Sequence, residues 1–556
     1  MRRVALTFSL LICAATTLHW TVPVSAQESA RLVRVSLPQD EGLLTPYGFR
    51  LGYPFVTLVY DTLLWRDADG RARPWLARSV KRSAGGRRVV LRLRRGVRWH
   101  DGRPLTAADV VFTFNFVRTH FHFRFTAQLR GIRRVRAVSP RTVIFDLHQP
   151  APGFLDQPLA DLPILPQHLW ANRPANLVIP PGLPIGSGPY RFASYEPGKG
   201  YKFVANREYF RGRPRVNRIE VDFVSGGQST FDALKRGEVD IVPTGVTADT
   251  EDQFEDAADI AVAQGVNYAG TALTFNLRRP PFHRARARRA VARALDLDRI
   301  ADAVGLVPAT RGFLHPASPW APDSELPRAD PASRREMRRL GNAAIVVLAP
   351  DGDALRLSVG RQVVRVLRGA GAKAMLTKVS GRAFDRALGA DGSEADFQAA
   401  VTDIQALPSY DPDYLRLKFA TGGPLNVTGY RSVAYDRLAE RVARTPDRRA
   451  RLRAVAAELR RLARDVPAVP LAFAQGAFAF RPSTYDGWIS VKGTGAFDKR
   501  SFLEPDPASR LADETPSGDS SDGLPLGAFG LAAVGLLLVA VALLAAALWR
   551  GRTDRR

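Results

Sequence analysis

Between Arg87 and Arg118 the chain changes hydrophobic period once. Val89, Leu91 and Leu93 alternate with Val90, Arg92 and Arg94, the period of a strand with one buried face. Val97 and Trp99 resume the alternation after Arg95-Gly96. Thr106 then stands where a helix cap is expected, with Asp109 three residues on to complete a capping box. Val110, Phe114 and Val117 follow at i, i+4 and i+7, the apolar stripe of an amphipathic helix. His100 and Asp101 sit between the two periods. They read either as a catalytic pair or as a corner joining strand to helix. Gly102 supplies backbone freedom there and Pro104 resists helix before it. No nucleophile or metal ligand adjoins the pair, so the corner is the stronger reading.

The same two periods recur along the chain. NAAIVVLAP (342–350) is a continuous apolar strand candidate. The segment after it places Leu357, Val363 and Leu367 on one helix face and stops at Gly369 and Gly371. In HRARARRAVARAL (283–295), Ala287, Ala290, Val291 and Ala294 form an apolar face and the arginines its wet side. Residues 155–184 are crowded with proline, which suits a surface loop and not a central strand. Strand-like and helix-like segments alternate throughout, the pattern of an α/β protein, with no internal repeat.

The 556 residues exceed what one core usually holds, so two or three domains are expected. The net charge is +26, and all but nine of the 80 basic residues are arginine. These are spread along the whole chain, which suggests a solvated surface able to attract anionic headgroups and not a nucleic-acid site. Residues 1–26 read as a secretory signal: Arg2-Arg3, an apolar run, then Val24-Ser25-Ala26. Cys13, the only cysteine, lies inside that run. Cleavage at Ala26 would leave no thiol for disulfides, catalysis or metal. Residues 526–549 carry no charge and are long enough to span a bilayer, and 550–556 are basic, marking a cytoplasmic tail. Residues 504–525, rich in Pro, Ser, Gly and Asp, read as a flexible stalk. The body is thereby expected on the extracytoplasmic side of a single-pass anchor.

Motifs for covalent hydrolysis, Gly-x-Ser-x-Gly and His-Glu-x-x-His, do not occur, nor does a phosphate-binding Gly-x4-Gly-Lys loop. His120 and His122 flank Phe121, but on a helix they stand about 200° apart and cannot share an ion easily. No metal and no cofactor are expected.

LRRGVRWHDGRPLTAADVVFTFNFV (93–117) resembles the signature of the solute-binding proteins of ABC importers for peptides, the group that also takes up nickel and other solutes. IGSGPYRF (185–192), NREYFRGRPRVNRIEV (206–221), ALKRGEVDIV (233–242) and FNLRRPPFHRARARRAVARALDLDRI (275–300) follow in the same order. YDPDYLRLKFATGGPLNVTGYRSVAYDRL (410–438) and VPAVPLAF (466–473) complete the series. The resemblance implies a two-lobed periplasmic-binding-protein-like fold of class II with an extra inserted domain. Lobe I would comprise 30–47, 185–274 and 478–503, the insert 48–184 and lobe II 275–477. It implies a binding protein and not an enzyme, with a peptide or other small solute as ligand and permease and ATPase subunits as partners. A membrane-held sensor or scaffold that feeds no transporter is the alternative.

Cleft candidates follow from the matching blocks. Asn276 either faces the crossing between lobes or closes a strand end. Tyr410 and Asp411 begin the Asp-Pro-Asp block, where Asp411 either meets ligand or caps a turn before Pro412. Asn426 and Tyr430 lie in a glycine-flanked loop, where NVT also matches a glycosylation sequon. Peptide binders of this group usually carry an acidic residue a few positions before that block, to pair with the peptide amine. Here Leu407, Pro408 and Ser409 stand at that distance, and Asp403 is the nearest carboxylate upstream.

Overall fold

The computed structural model describes residues 31–503, apart from 50, 84, 123, 173–181, 225–226, 247–250, 255–256, 327–335, 338–343 and 390–393. The signal, stalk, 526–549 and tail lie outside the described residues. Among those described, no helix is long and apolar enough to cross a membrane. The chain divides into two compact units, Met1–Glu504 and Pro505–Arg556. The hydrophobic cores of the described residues lie within 31–503.

Three sheets organise that unit. The first has seven strands in the order Ala261–Ala263, Phe478–Phe480, Ile241–Val242, Leu32–Leu37, Arg218–Phe223, Gly200–Ala205 and Tyr190–Glu196. Leu32–Leu37 pairs in parallel with Arg218–Phe223 and with Ile241, and the other pairings are antiparallel. The second has six strands: Val307–Pro308, Ala468–Gln475, Val266–Phe275, Ala399–Ile404, Ile345–Pro350 and Ala374–Val379. A four-stranded antiparallel sheet runs Ala77–Ser83, Arg88–Leu93, Thr142–Leu147, Ile132–Ser139. It shares one continuous core with the first sheet, whereas the second sheet has cores of its own.

The chain passes between the first and second sheets twice, at 263–266 and 475–478. The two passages lie side by side: a Cβ on Gly476 would strike the backbone of Gly265, so the approach needs glycine. The strand Val266–Phe275, read from sequence as the end of lobe I, hydrogen-bonds to Ala399–Ile404 and Ala468–Gln475 and so belongs to the second sheet. The resemblance puts the passage between lobes after residue 274, whereas the strand pairings put the passage between sheets at 263–266.

The corner at Asp101 has the expected form. Val89, Leu91 and Leu93 are buried on the strand Arg88–Leu93. Thr106 and Asp109 make the reciprocal capping box of the helix Ala107–Thr119, whose Val110, Phe114 and Val117 are buried. Gly102 holds φ of +88°. His100 is buried and pushed down to about 4 by burial, so its ring is neutral. Its Nε2 donates to the Gly188 carbonyl (3.0 Å) and its Nδ1 accepts from Gly186 N–H (3.2 Å). His100 thus ties the WHDG corner to the GSG segment, while Asp101 pairs with His168 at 2.7 Å.

Two local readings change. The proline-crowded segment is not a surface loop: its described part buries Leu159, Leu162, Ile164, Leu165 and Trp170, with prolines opening short helical turns. Arg288 is not on the wet side of its helix, Ala285–Ala294. It is buried and donates to the carbonyls of Phe282, Asp465 and Val466, joining two helices through their ends.

A buried ion pair ties the segment around the two-stranded sheet of Leu64–Arg66 and Ala72–Pro74 to the C-terminal turn Lys499–Phe502. Asp61 and Lys499 are fully buried, with Nζ 2.9 Å from Oδ1. Asp61 also accepts from Trp75 Nε1 (2.8 Å), Tyr209 Oη (2.9 Å) and Ser187 Oγ (3.1 Å). The Lys499 ammonium stands 4.1 Å from the Trp65 ring centroid and 4.8 Å from that of Trp75. Lys499→Met should lower stability by about 3–5 kcal/mol, because it strands a buried carboxylate. Adding Asp61→Asn should recover part of that loss; calorimetric unfolding of both variants, with an additive double variant counting against the pair, is the check.

Candidate functional site

The second sheet presents one segment, 403–419, toward the elements around the four-stranded sheet. Leu407–Tyr410 forms a single helical turn and Tyr414–Phe419 a short helix. The first turn is fixed from behind. Ser409 Oγ accepts from His315 N (3.0 Å), Ser318 Oγ donates to the Ser409 carbonyl (2.7 Å), and Trp320 Nε1 donates to the Tyr410 carbonyl (2.9 Å).

Tyr410 and Asp411 stand at the contact. The Tyr410 hydroxyl donates to the Lys492 carbonyl (2.8 Å), and its ring packs edge-on against Tyr268 at 5.2 Å. The Arg66 guanidinium lies 3.6 Å over the same ring. Arg66 also donates to the Asp156 carboxylate (3.3 Å) and carbonyl (2.9 Å). Asp411 is buried against Arg451, and its carboxylate abuts Gly153, where a Cβ would overlap it. Gln157 Nε2 reaches across to the Leu407 carbonyl at 3.0 Å. Asp411 therefore does more than cap a turn: it accepts from Asp413 N–H at 3.3 Å and carries an ion pair at the crossing.

The electrostatics are uneven. Burial pushes Asp156 up to about 6, assisted by Asp411 and opposed by Arg66 and Arg451, although 30% of its side chain is open to solvent. It therefore lies in a recess. Burial also raises Asp411, with Arg451 opposing. Deeper in, burial pushes Asp161 up, but Arg124 and Gln128 outweigh it and hold the carboxyl below the usual range. Arg124 binds that carboxylate at 2.7 Å and lies 4.2 Å over the Tyr53 ring. Opposite, Lys418 is pushed down by burial and partly restored by Asp403. Lys418 Nζ donates to the Asp403 carbonyl (3.3 Å), while the Asp403 side chain is exposed.

The other candidates sit elsewhere. Asn276 is fully buried: its Nδ2 donates to the Ala395 carbonyl (3.1 Å) and its Oδ1 accepts from Arg278 N–H (3.1 Å). It closes a strand end. Asn426 bridges the Ala420 and Tyr430 carbonyls, and Tyr430 donates to Asp465, so both hold a loop together. The structure brings together Tyr410, Asp411 and, one strand end away, Asp403. Arg66, Gly153, Asp156 and Gln157 were missed, because single residues in irregular segments carry no periodic signal. His120 and His122 stack separately, on Phe116 at 3.8 Å and Phe125 at 4.5 Å.

A recess of about 1120 Å³ lies away from this contact, floored by Leu295, Phe313 and Val469.

A profile of the bacterial extracellular solute-binding proteins, family 5 (middle region), matches residues 71–424. A Brucella ovis protein named for ABC-transporter peptide binding is 29% identical over 208 residues, 36% of this chain and 39% of that protein. The oligopeptide-binding protein AppA of Bacillus subtilis is 28% identical over 256 residues, 44% of this chain and 46% of AppA. The match thus spans less than half the length of either relative. The structure of AppA with a nonapeptide superposes with TM-score 0.72 at 20% identity, over 81% of this chain and 94% of AppA. DppA of Helicobacter pylori, in complex with the peptide STSA, gives 0.73 at 20% identity, over 86% of this chain and all of DppA. The fold is therefore the α/β periplasmic-binding-protein-like one. With the profile matching more than half of its length, the chain belongs to the bacterial extracellular solute-binding proteins, family 5.

Proposed function

We propose that this chain is the extracytoplasmic solute-binding subunit of an ABC importer. It captures an oligopeptide or similar small solute by closing two lobes and delivers it to a membrane permease driven by an ATPase. Lobe I is built on the first sheet, lobe II on the second, and the four-stranded sheet belongs to an inserted domain, the class II arrangement. The paired passages at Gly265 and Gly476 are the hinge. A signal at 1–26 and an anchor at 526–549 would hold this body outside the membrane on its stalk. The observation that carries the reading is the contact at Tyr410: Arg66, Gly153 and Gln157 meet Tyr410, Asp411 and Leu407 across a polar surface joining segments some 250 residues apart. Such contacts exist only when the halves are together, so a solute held between them shifts the population toward closure.

Asp403 is the acceptor we assign to a ligand cation. Leu407, Pro408 and Ser409 are buried and offer no acid, whereas Asp403 is exposed beside them. A thermal-shift screen should find stabilisation by free-amine peptides of two to six residues. Asp403→Asn should weaken their binding about tenfold, as expected for a lost charge-assisted hydrogen bond, and leave N-acetylated peptides unaffected. Stabilisation by another solute alone would remove peptide from the assignment.

Closure itself is testable at Gly153. Gly153→Ala places a methyl on the Asp411 carboxylate, so solute affinity should fall about tenfold or more while the melting temperature of the ligand-free protein holds. Small-angle scattering should show that the variant does not compact with ligand.

Closing also changes proton binding at Asp156. Its pKa is about 6 in this structure and returns toward 3.8 as the surfaces separate. The closed state then holds the extra proton between these values, so closure is favoured at low pH and loses that advantage as pH rises to 6. Solute affinity should increase about fivefold from pH 7 to pH 5, and Asp156→Asn should flatten the profile; an unchanged profile in the variant would assign the titration elsewhere.

A further inference from the structure

We propose that the outer face of the helix Arg448–Asp465 is a contact surface for an anionic lipid bilayer, with Arg449, Arg453, Arg460 and Arg464 as the contacting groups. This goes beyond solute binding and does not depend on it. The four arginines are spaced by four, seven and four residues. At 100° per residue they fall within an arc of about 60°, in a row about 22 Å long. All four are exposed, and none donates to a carboxylate among the described residues.

Some surface arginines elsewhere are paired with a carboxylate. Arg88 pairs with Asp146 at 2.6 Å, Arg236 with Glu238 at 2.7 Å and Arg416 with Asp413 at 2.6 Å. On this helix the carboxylates are turned away or engaged. Glu458 is buried, Asp465 is taken by Arg461 and Tyr430, and Asp447 caps the helix through Ala450 N–H. The opposite face buries Ala454, Val455, Leu459 and Leu462, so the row is held rigidly outward. It continues onto the neighbouring helix, where Arg289 Nε donates to the Arg464 carbonyl at 3.1 Å and Arg286 is exposed beside it.

A row of unpaired guanidiniums on a rigid element fits a plane of phosphates. Residues 448–465 contain no aromatic side chain, so the row offers no platform for stacking exposed bases. A bilayer is also what the apolar run 526–549 would place within reach of the stalk. Each arginine near an anionic surface raises partitioning about fivefold, so four together contribute several hundredfold, and the effect fades over a Debye length of about 8 Å.

The test uses residues 31–504, the compact unit free of the apolar run, with vesicles of phosphatidylcholine alone or with about 30% phosphatidylglycerol. Sedimentation should occur only with the anionic vesicles at about 0.15 M salt and vanish by about 0.5 M. Changing Arg449, Arg453, Arg460 and Arg464 together to Gln should weaken it about 100-fold or more, with the melting temperature held. A control quartet on the four-stranded sheet, Arg78, Lys81, Arg92 and Arg134 to Gln, removes the same charge and should weaken it less than about threefold. No sedimentation of the wild-type unit with anionic vesicles overturns the proposal. So does an equal loss in both quartets, which would make net charge the cause. Loss of affinity for a DNA duplex in the first quartet with vesicle binding intact would reassign the surface to nucleic acid.

Discussion

The buried pair of Asp61 and Lys499 is the constraint on which the first half of this protein depends. Two full charges removed from water carry a desolvation penalty of several kcal/mol each, and only complete pairing offsets it. Here the carboxylate accepts from four groups and the ammonium lies against two indole rings. The partners come from 61–75, from 187 and 209, and from the C-terminal segment at 499. The site therefore specifies how these three segments meet more than it adds net stability. Trp65 Nε1 donating to Asp498 at 3.0 Å extends the same specification by one residue.

What the sequence made legible follows from range. The corner at Asp101 needed only local rules: alternation, a capping box and a stripe, all visible within 30 residues. The resemblance supplied the order of the remaining blocks. Neither could say that His100 would bond Gly186 and Gly188, although both motifs were quoted as separate blocks. Asn276, Asn426 and Tyr430 are candidates by their position in the blocks that resemble the family, with a strand end or a loop as the alternative. Each instead satisfies a loop carbonyl or carboxylate of its own half, the commoner use of a buried amide or phenol. Tyr410 and Asp411 stand out in the sequence because they open a distinctive Asp-Pro-Asp block, and the structure places them against Arg66 and Gly153. Their partners Arg66, Gly153 and Asp156 do not stand out, since the contact joins residues with no shared pattern.

Arginine serves two opposed purposes in this chain. Inside, Arg66, Arg124, Arg288 and Arg451 use the planar guanidinium to reach carbonyls, carboxylates and aromatic faces at once, which a lysine ammonium cannot do. Outside, a minority of the exposed arginines pair with a neighbouring carboxylate, as Arg88 does with Asp146, and the others face solvent. On Arg448–Asp465 four of them share one arc of about 60° while the acids of that helix are buried or engaged.

Arginine at the crossing also decides where pH can act. Arg66 and Arg451 supply the positive charge at this contact. The titrating partners are then the carboxylates, and burial raises Asp156 and Asp411 together on facing surfaces. Two raised acids across one contact repel when both are ionised, and protonating one relieves the strain of closure. A contact built from arginines and buried carboxylates is thus sensitive to acid at the contact itself. Its cations confer geometry and its carboxylates confer the response.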